Sequence, residues 1–285
     1  MKKRIGLGFL LLLLSVAAWA AGPSVVRKQT EASMLVTGAL EVGSDGEVRS
    51  HTLDQREKLP AEVATFIDRN VVEWTFTPYL HEGKPAILHN KMSILMRANK
   101  LESGDFRMYI AAVDFAPLKQ ESASGAGISA IKMDPPSYPV PAARASAVGT
   151  AYLLLKINRS GMVEDALVEQ VNLRVVSDES QMQRWRDMFA KSSLAAAMKW
   201  TFVPPVIGEA ADDPYWTVRV PVDYSMAWQG TPRYGRWVAY IPGPRQENPW
   251  SIDEPAGFAP DALTAGDIRL AGKSGLELLT PLQAN

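Results

Sequence analysis

The chain has 285 residues, 47% hydrophobic and 21% charged, a globular composition that excludes a disordered tail and a polytopic membrane protein. Its 30 basic and 31 acidic residues create no positive field, so nucleic acid is not an expected partner. The absence of cysteine excludes thiol catalysis, disulfide scaffolds and thiolate zinc sites.

Lys2, Lys3 and Arg4 precede residues 5–21, a 17-residue run without charge. Ala18-Trp19-Ala20 has the small-x-small form of a signal-peptidase site, so residues 1–20 read as a cleaved export signal. Cleavage leaves 27 basic and 31 acidic residues, a net charge of −4. The expected location is the periplasm of a Gram-negative bacterium. The alternative is an inner-membrane anchor, which requires that the segment stay uncleaved.

Next comes a divergent internal repeat. Residues 35–42 alternate as a strand, Ser44-Asp45-Gly46 is a turn signal, and 47–53 form a second strand. Val63, Phe66, Ile67, Asn70, Val71 and Trp74 fall at helical spacing, with Pro60 suited to the first turn. Trp74-Thr75-Phe76-Thr77-Pro78 follows, then a strand over 87–97 and an added strand over 106–115. Glu121 opens a flexible stretch that runs to Gly127.

The second copy repeats the order. Residues 150–158 read as a strand, Arg159-Ser160-Gly161 as the turn, and 162–171 as the second strand. A helix is expected over 181–199, with Asp178 as its N-cap and Met182, Trp185, Met188, Phe189 and Ser192 on its inner stripe. Trp200-Thr201-Phe202-Val203-Pro204 echoes the first copy. Trp216, Val218, Val220, Val222 and Tyr224 then alternate with Thr217, Arg219, Pro221 and Asp223. Pro221 cannot donate to a ladder, so this strand is expected at a sheet edge or a bulge.

The predicted fold class is α+β: two tandem units, each an antiparallel three- to four-stranded sheet with a helix on one face. Their bounds are 33–115 and 133–226, joined by a linker at 116–132. Residues 227–285 form a tail in which 14 of 59 residues are proline or glycine. The tail reads as mostly irregular, its aromatic half docked on the second unit and its last residues mobile. Trp74, Phe76, Trp200 and Phe202 are the expected core anchors.

Ser137-Tyr138-Pro139, Ala142-Ala143-Arg144, Val148-Gly149, the strand to Ile157, Gly161, Val163 and the stretch 195–204 with Trp200, Phe202 and Pro204 occur in an order that resembles the TonB C-terminal domain family. The resemblance covers about 133–226. Residues 33–98 resemble the family more weakly, keeping Gly38, Gly46 and Trp74 to Pro78 but lacking the Tyr-Pro entry. The resemblance implies a small sheet with helices on one face and a place in the cell envelope. It also implies binding of an extended segment of an envelope partner, such as an outer-membrane receptor, as an added strand. The strand carrying Trp216, Thr217, Val218, Arg219 and Val220 is the expected binding edge.

The sequence departs from a full energy transducer. Beyond the export signal only 13 residues, 21–33, lead to the first folded unit, a reach of about 45 Å at most. They contain one proline, and no histidine lies within 5–21. An anchored transport component is therefore the second reading. A homodimer that hides the edges stays open.

No enzyme chemistry is expected. His81-Glu82 begins like a zincin motif, but Pro85 stands where the second histidine belongs. His51 and His89 read as sheet residues, and Asp212-Asp213 as a solvated acidic pair. Gly272-Lys273-Ser274 lacks the frame of a phosphate loop, and no G-x-S-x-G elbow occurs. No cofactor or metal is expected.

Overall fold

The computed structural model describes residues 22–81, 83–101, 103, 105–117, 125–226, 233–250, 254–272 and 276–282. The export signal expected at 1–20 lies outside them, as do Trp228, Lys273 and Ser274. Among the described residues, no helix is long and apolar enough to cross a membrane.

The first unit starts with β1 (Glu31–Val42), which turns at Gly46 into β2 (Val48–Leu53). Helix α1 (Ala61–Val71) crosses back, and β3 (Leu88–Lys100) and β4 (Phe106–Pro117) complete an antiparallel sheet in the order β2-β1-β3-β4. Strand periodicity sorts β1 in two: Met34, Val36, Leu40 and Val42 are buried, while Ser33, Leu35 and Thr37 turn to the opposite face and are half-buried. The helix contributes Val63, Ala64, Ile67 and Val71, the 3.6-residue stripe expected of a one-sided helix. Pro60 lies just before the helix rather than within its first turn. Each buried valine or isoleucine of this stripe contributes about 1.5–3 kcal/mol.

The second unit opens with β5 (Ser129–Lys132) and the short helix α2 (Val140–Arg144). Then come β6 (Gly149–Asn158), β7 (Val163–Leu173), helix α3 (Glu179–Ala197), β8 (Thr201–Val203) and β9 (Tyr215–Tyr224). Asp178 caps α3 as predicted, its carboxylate accepting from the Gln181 N–H at 2.9 Å. Met182, Trp185 and Phe189 are buried against the sheet. Tyr138 meets Phe189 and Tyr224 edge-on, and Phe189 stacks on Tyr224 at 4.1 Å.

The tail supplies β10 (Val238–Tyr240) and β11 (Arg269–Leu270). The second sheet runs β7-β6-β9-β11, so β11 stands where β4 stands in the first unit. The protein is mixed α+β with antiparallel sheets. Trp74, Phe76, Trp200 and Phe202 are all buried in the two cores.

The tail differs from expectation. Leu276 and Leu278 are 1% and 5% exposed and belong to the first unit's core, so residues 276–282 are docked. Trp237 packs on the first core, not the second. Irregular backbone with buried leucines leaves no periodic signal, which is why composition alone read this region as loose. The stretch 116–132 is likewise not all linker, because Ser129–Lys132 pairs with β8.

Candidate functional site: sheet edges and the tail that covers them

The predicted edge strand is β9, and its side chains do not face a partner. Trp216, Val218 and Val220 are 3%, 0% and 1% exposed in the second core, and Thr217 and Arg219 are also buried. One flank of β9 pairs with β6 along its whole length. The other is closed by the tail: Val218 and Arg219 pair with Leu270 and Arg269. The Ala271 N–H donates to the Thr217 carbonyl at 2.8 Å, and the Gly266 N–H to the Pro221 carbonyl at 3.1 Å. Pro221 therefore turns its missing donor toward the tail and costs the β6 ladder nothing. The expectation of an open edge at Trp216, Thr217, Val218, Arg219 and Val220 is corrected: that edge is occupied within the chain.

The tail treats other edges in the same way, in chain order. Residues 238–240 pair with Glu31, Ala32 and Ser33 of β1. Ile241 and Leu173 of β7 exchange hydrogen bonds of 2.7 and 3.0 Å, and the Gln246 N–H reaches the Glu169 carbonyl at 2.7 Å. Gly257 accepts from Val113 of β4 at 2.9 Å. Finally Leu278 bridges Phe76, the Thr77 N–H donates to the Glu277 carbonyl, and the Leu279 N–H donates to the Thr75 carbonyl. Unpaired strand edges template aggregation, and an irregular strap laid across them removes that hazard.

Buried charges pin the strap. Arg219 makes a bidentate pair with Glu169 at 2.7 and 3.0 Å, and also bonds Glu254 of the tail. Its guanidinium lies over the Phe258 ring at 4.7 Å. Burial works to lower the Arg219 pKa, but the hydrogen bonds and charges of Glu169 and Glu254 outweigh it and raise it. Arg97 of β3 reaches Asp261 at 2.8 Å, and the Tyr240 hydroxyl donates to Glu31 at 2.7 Å. Burial, with the Asp261 charge beside it, pushes the Tyr240 phenol up. Arg269 donates to Asp114 of the first unit at 2.9 Å while its backbone sits on β9, tying the units together. Burial raises the Asp114 pKa, against the pull of Arg269.

An open position remains at β5. Ser129, Ala130, Ile131 and Lys132 are all exposed, and β8 is their pairing partner among the described residues. Ile131 is 69% exposed and sits at a register shift, between the Ala130–Phe202 and Lys132–Thr201 pairs. Val203 at the end of β8, and Val206 and Ile207 just beyond it, are exposed as well. Sequence reading missed this strand because four residues inside a glycine- and serine-rich stretch show no alternation. The signal available was Ile131, an aliphatic residue with no helix or strand to bury it.

The histidines do not converge. His51 contacts Asp68 at 2.9 Å, His89 lies 3.7 Å from Glu41, and His81 is in a two-residue hairpin strand. Among the described residues, no cluster of three or more histidine and acidic side chains is arranged to hold a metal. Comparison with protein-family models, curated proteins and solved structures finds no match to the chain.

Proposed function

We propose that the chain is a non-enzymatic protein-interaction module of the bacterial envelope. On this reading it is exported through residues 1–20, lies in the periplasm, and binds an extended segment of an envelope partner by strand addition. The reading rests on the sequence resemblance to the TonB C-terminal domain family and on one structural observation. Both units accept extended segments of the tail as added antiparallel strands, at Val218–Arg219 in the second and at Glu31–Ser33 in the first. Main-chain pairing supplies affinity in such binding, and alternate side chains supply specificity.

Because β9 is taken, the partner's place is the outer side of β5, beside Ile131 and Val203. The test is a proline at position 131. That residue stands at the register shift, so its loss of a donor spares the pairs of Ala130 and Lys132. Ile131→Pro should abolish recovery of the envelope partner from cross-linked cells, with the circular dichroism spectrum unchanged and Ile131→Val still active. Recovery that survives the proline rules out strand addition at this edge.

A further inference from the structure

The faces of the two sheets that point away from the helix-covered cores leave a cavity of about 410 Å³ between them, within the range of about 300–1,000 Å³ usual for small-molecule sites. It lies where the outer flank of β1 changes partner. Ser33 pairs with Val238 of β10, Gly38 pairs with Leu53 of β2, and the Tyr234 hydroxyl bonds the Thr37 backbone between them.

The chemistry of the walls is uneven. Leu35 and Leu95 come from the first unit, Tyr152 from the second and Leu263 from the tail. The polar groups around them are engaged elsewhere: the Thr37 hydroxyl with Asp54, that of Thr150 with Asp223, and the Asn172 amide oxygen with the Gly243 N–H. The acids that line the space are matched, Asp223 by Arg174 at 2.7 Å and Asp261 by Arg97 at 2.8 Å. Arg233 and Arg236 also line it, are exposed, and form no salt bridge among the described residues. The unmatched charge is thus positive, and the walls are mostly apolar.

We propose that this cavity binds an amphipathic carboxylate, a fatty-acid-like molecule. Its hydrocarbon part lies among Leu35, Leu95, Tyr152 and Leu263, and its carboxylate meets Arg233 and Arg236. A guanidinium matches a carboxylate in charge and in hydrogen-bond geometry. This site is separate from the β5 edge, so either proposal can fail without the other.

The test is calorimetry with dodecanoate and dodecanol on the chain as recovered from cells, after delipidation. Dodecanoate should bind one per chain. Dodecanol, or dodecanoate with the Arg233→Ala/Arg236→Ala double variant, should bind at least about ten-fold more weakly, the loss expected for charge-assisted hydrogen bonds. Leu95→Trp should fill the cavity and abolish binding. Ser33→Leu, at a half-buried position, is the second filling variant should Leu95→Trp not fold. Absence of saturable dodecanoate binding overturns the proposal. So does equal binding of the alcohol and the acid, or binding that persists in a folded cavity-filled variant.

Discussion

The Phe202 N–H donates to the Gly161 carbonyl at 2.8 Å, and the Phe76 N–H donates to the Gly46 carbonyl at the same distance. Each glycine has positive φ, +79° and +85°. Each lies so close to its phenylalanine that an added Cβ would sit 2.0 or 2.1 Å from the phenylalanine carbonyl oxygen. The hairpin turn and the Trp-Thr-Phe-x-Pro segment are therefore one locked device, built twice. The other flank of that segment then takes further main-chain pairing, from strand β5 in the second unit and from tail residues 277–279 in the first.

Gly161→Ala and Gly46→Ala should both destabilise strongly. Backbone strain at such a position costs about 1–3 kcal/mol, and the clash with the carbonyl adds to it. Gly83 has φ +77° but nothing within 4 Å of an added Cβ. Gly83→Ala should therefore cost only the conformational penalty of about 1 kcal/mol. Urea unfolding of the three variants measures the difference.

Arg219 and Glu169 are 2% and 1% exposed, and their pair is joined by Glu254 from the tail. Removing one member leaves a buried charge without its partner. Arg219→Met should cost about 3–5 kcal/mol, and Arg219→Met/Glu169→Leu should recover much of that. A double-mutant cycle by chemical denaturation reads the coupling. Additive single-mutant effects would contradict the buried pairing.

The Arg56 guanidinium, hydrogen-bonded to Asp68, holds its carboxyl well below the ordinary range, at about 2, with a smaller contribution from His51. A depressed carboxylate contributes stability that is fully present above its unfolded pKa and is lost as pH falls through its folded one. Wild-type stability should drop between about pH 4 and pH 2 more steeply than that of Asp68→Asn. Thermal unfolding across that window checks the slope, and parallel curves would remove Asp68 from the account.

Leu278 is 5% exposed in the first core and its backbone bridges Phe76. Leu278→Asp should free the end of the strap. The Thr77 and Leu279 amides should then lose hydrogen-exchange protection, while the Phe202 amide keeps its own. Unchanged protection at Thr77 would show that this segment does not depend on the tail.

Much of the fold was legible because regular elements carry periodic signals. The stripe of Val63, Ile67 and Val71, the Asp178 cap, and the alternation from Trp216 to Tyr224 each named an element that the structure contains. The role of β9 was not legible. Pro221 within the alternation marks an edge but not what occupies it, and here the polar face carries Arg219 into the ion pairs that hold the tail on that edge. The strands that close the edges, Val238–Tyr240 and Arg269–Leu270, are too short to show a period, and their pairing partners lie far off in sequence. Ser129–Lys132, paired with the distant Thr201–Val203, is likewise too short to show a period.

The most direct test of strand addition places a photo-reactive residue at position 131, and separately at 270, in the full chain in cells. The residue at 131 should cross-link to one extended segment of an envelope protein, mapped by mass spectrometry. The residue at 270 should cross-link only within the chain, to β9. Cross-linking of an outside segment from 270 but not from 131 would contradict the account, because the tail would then be the element that a partner displaces.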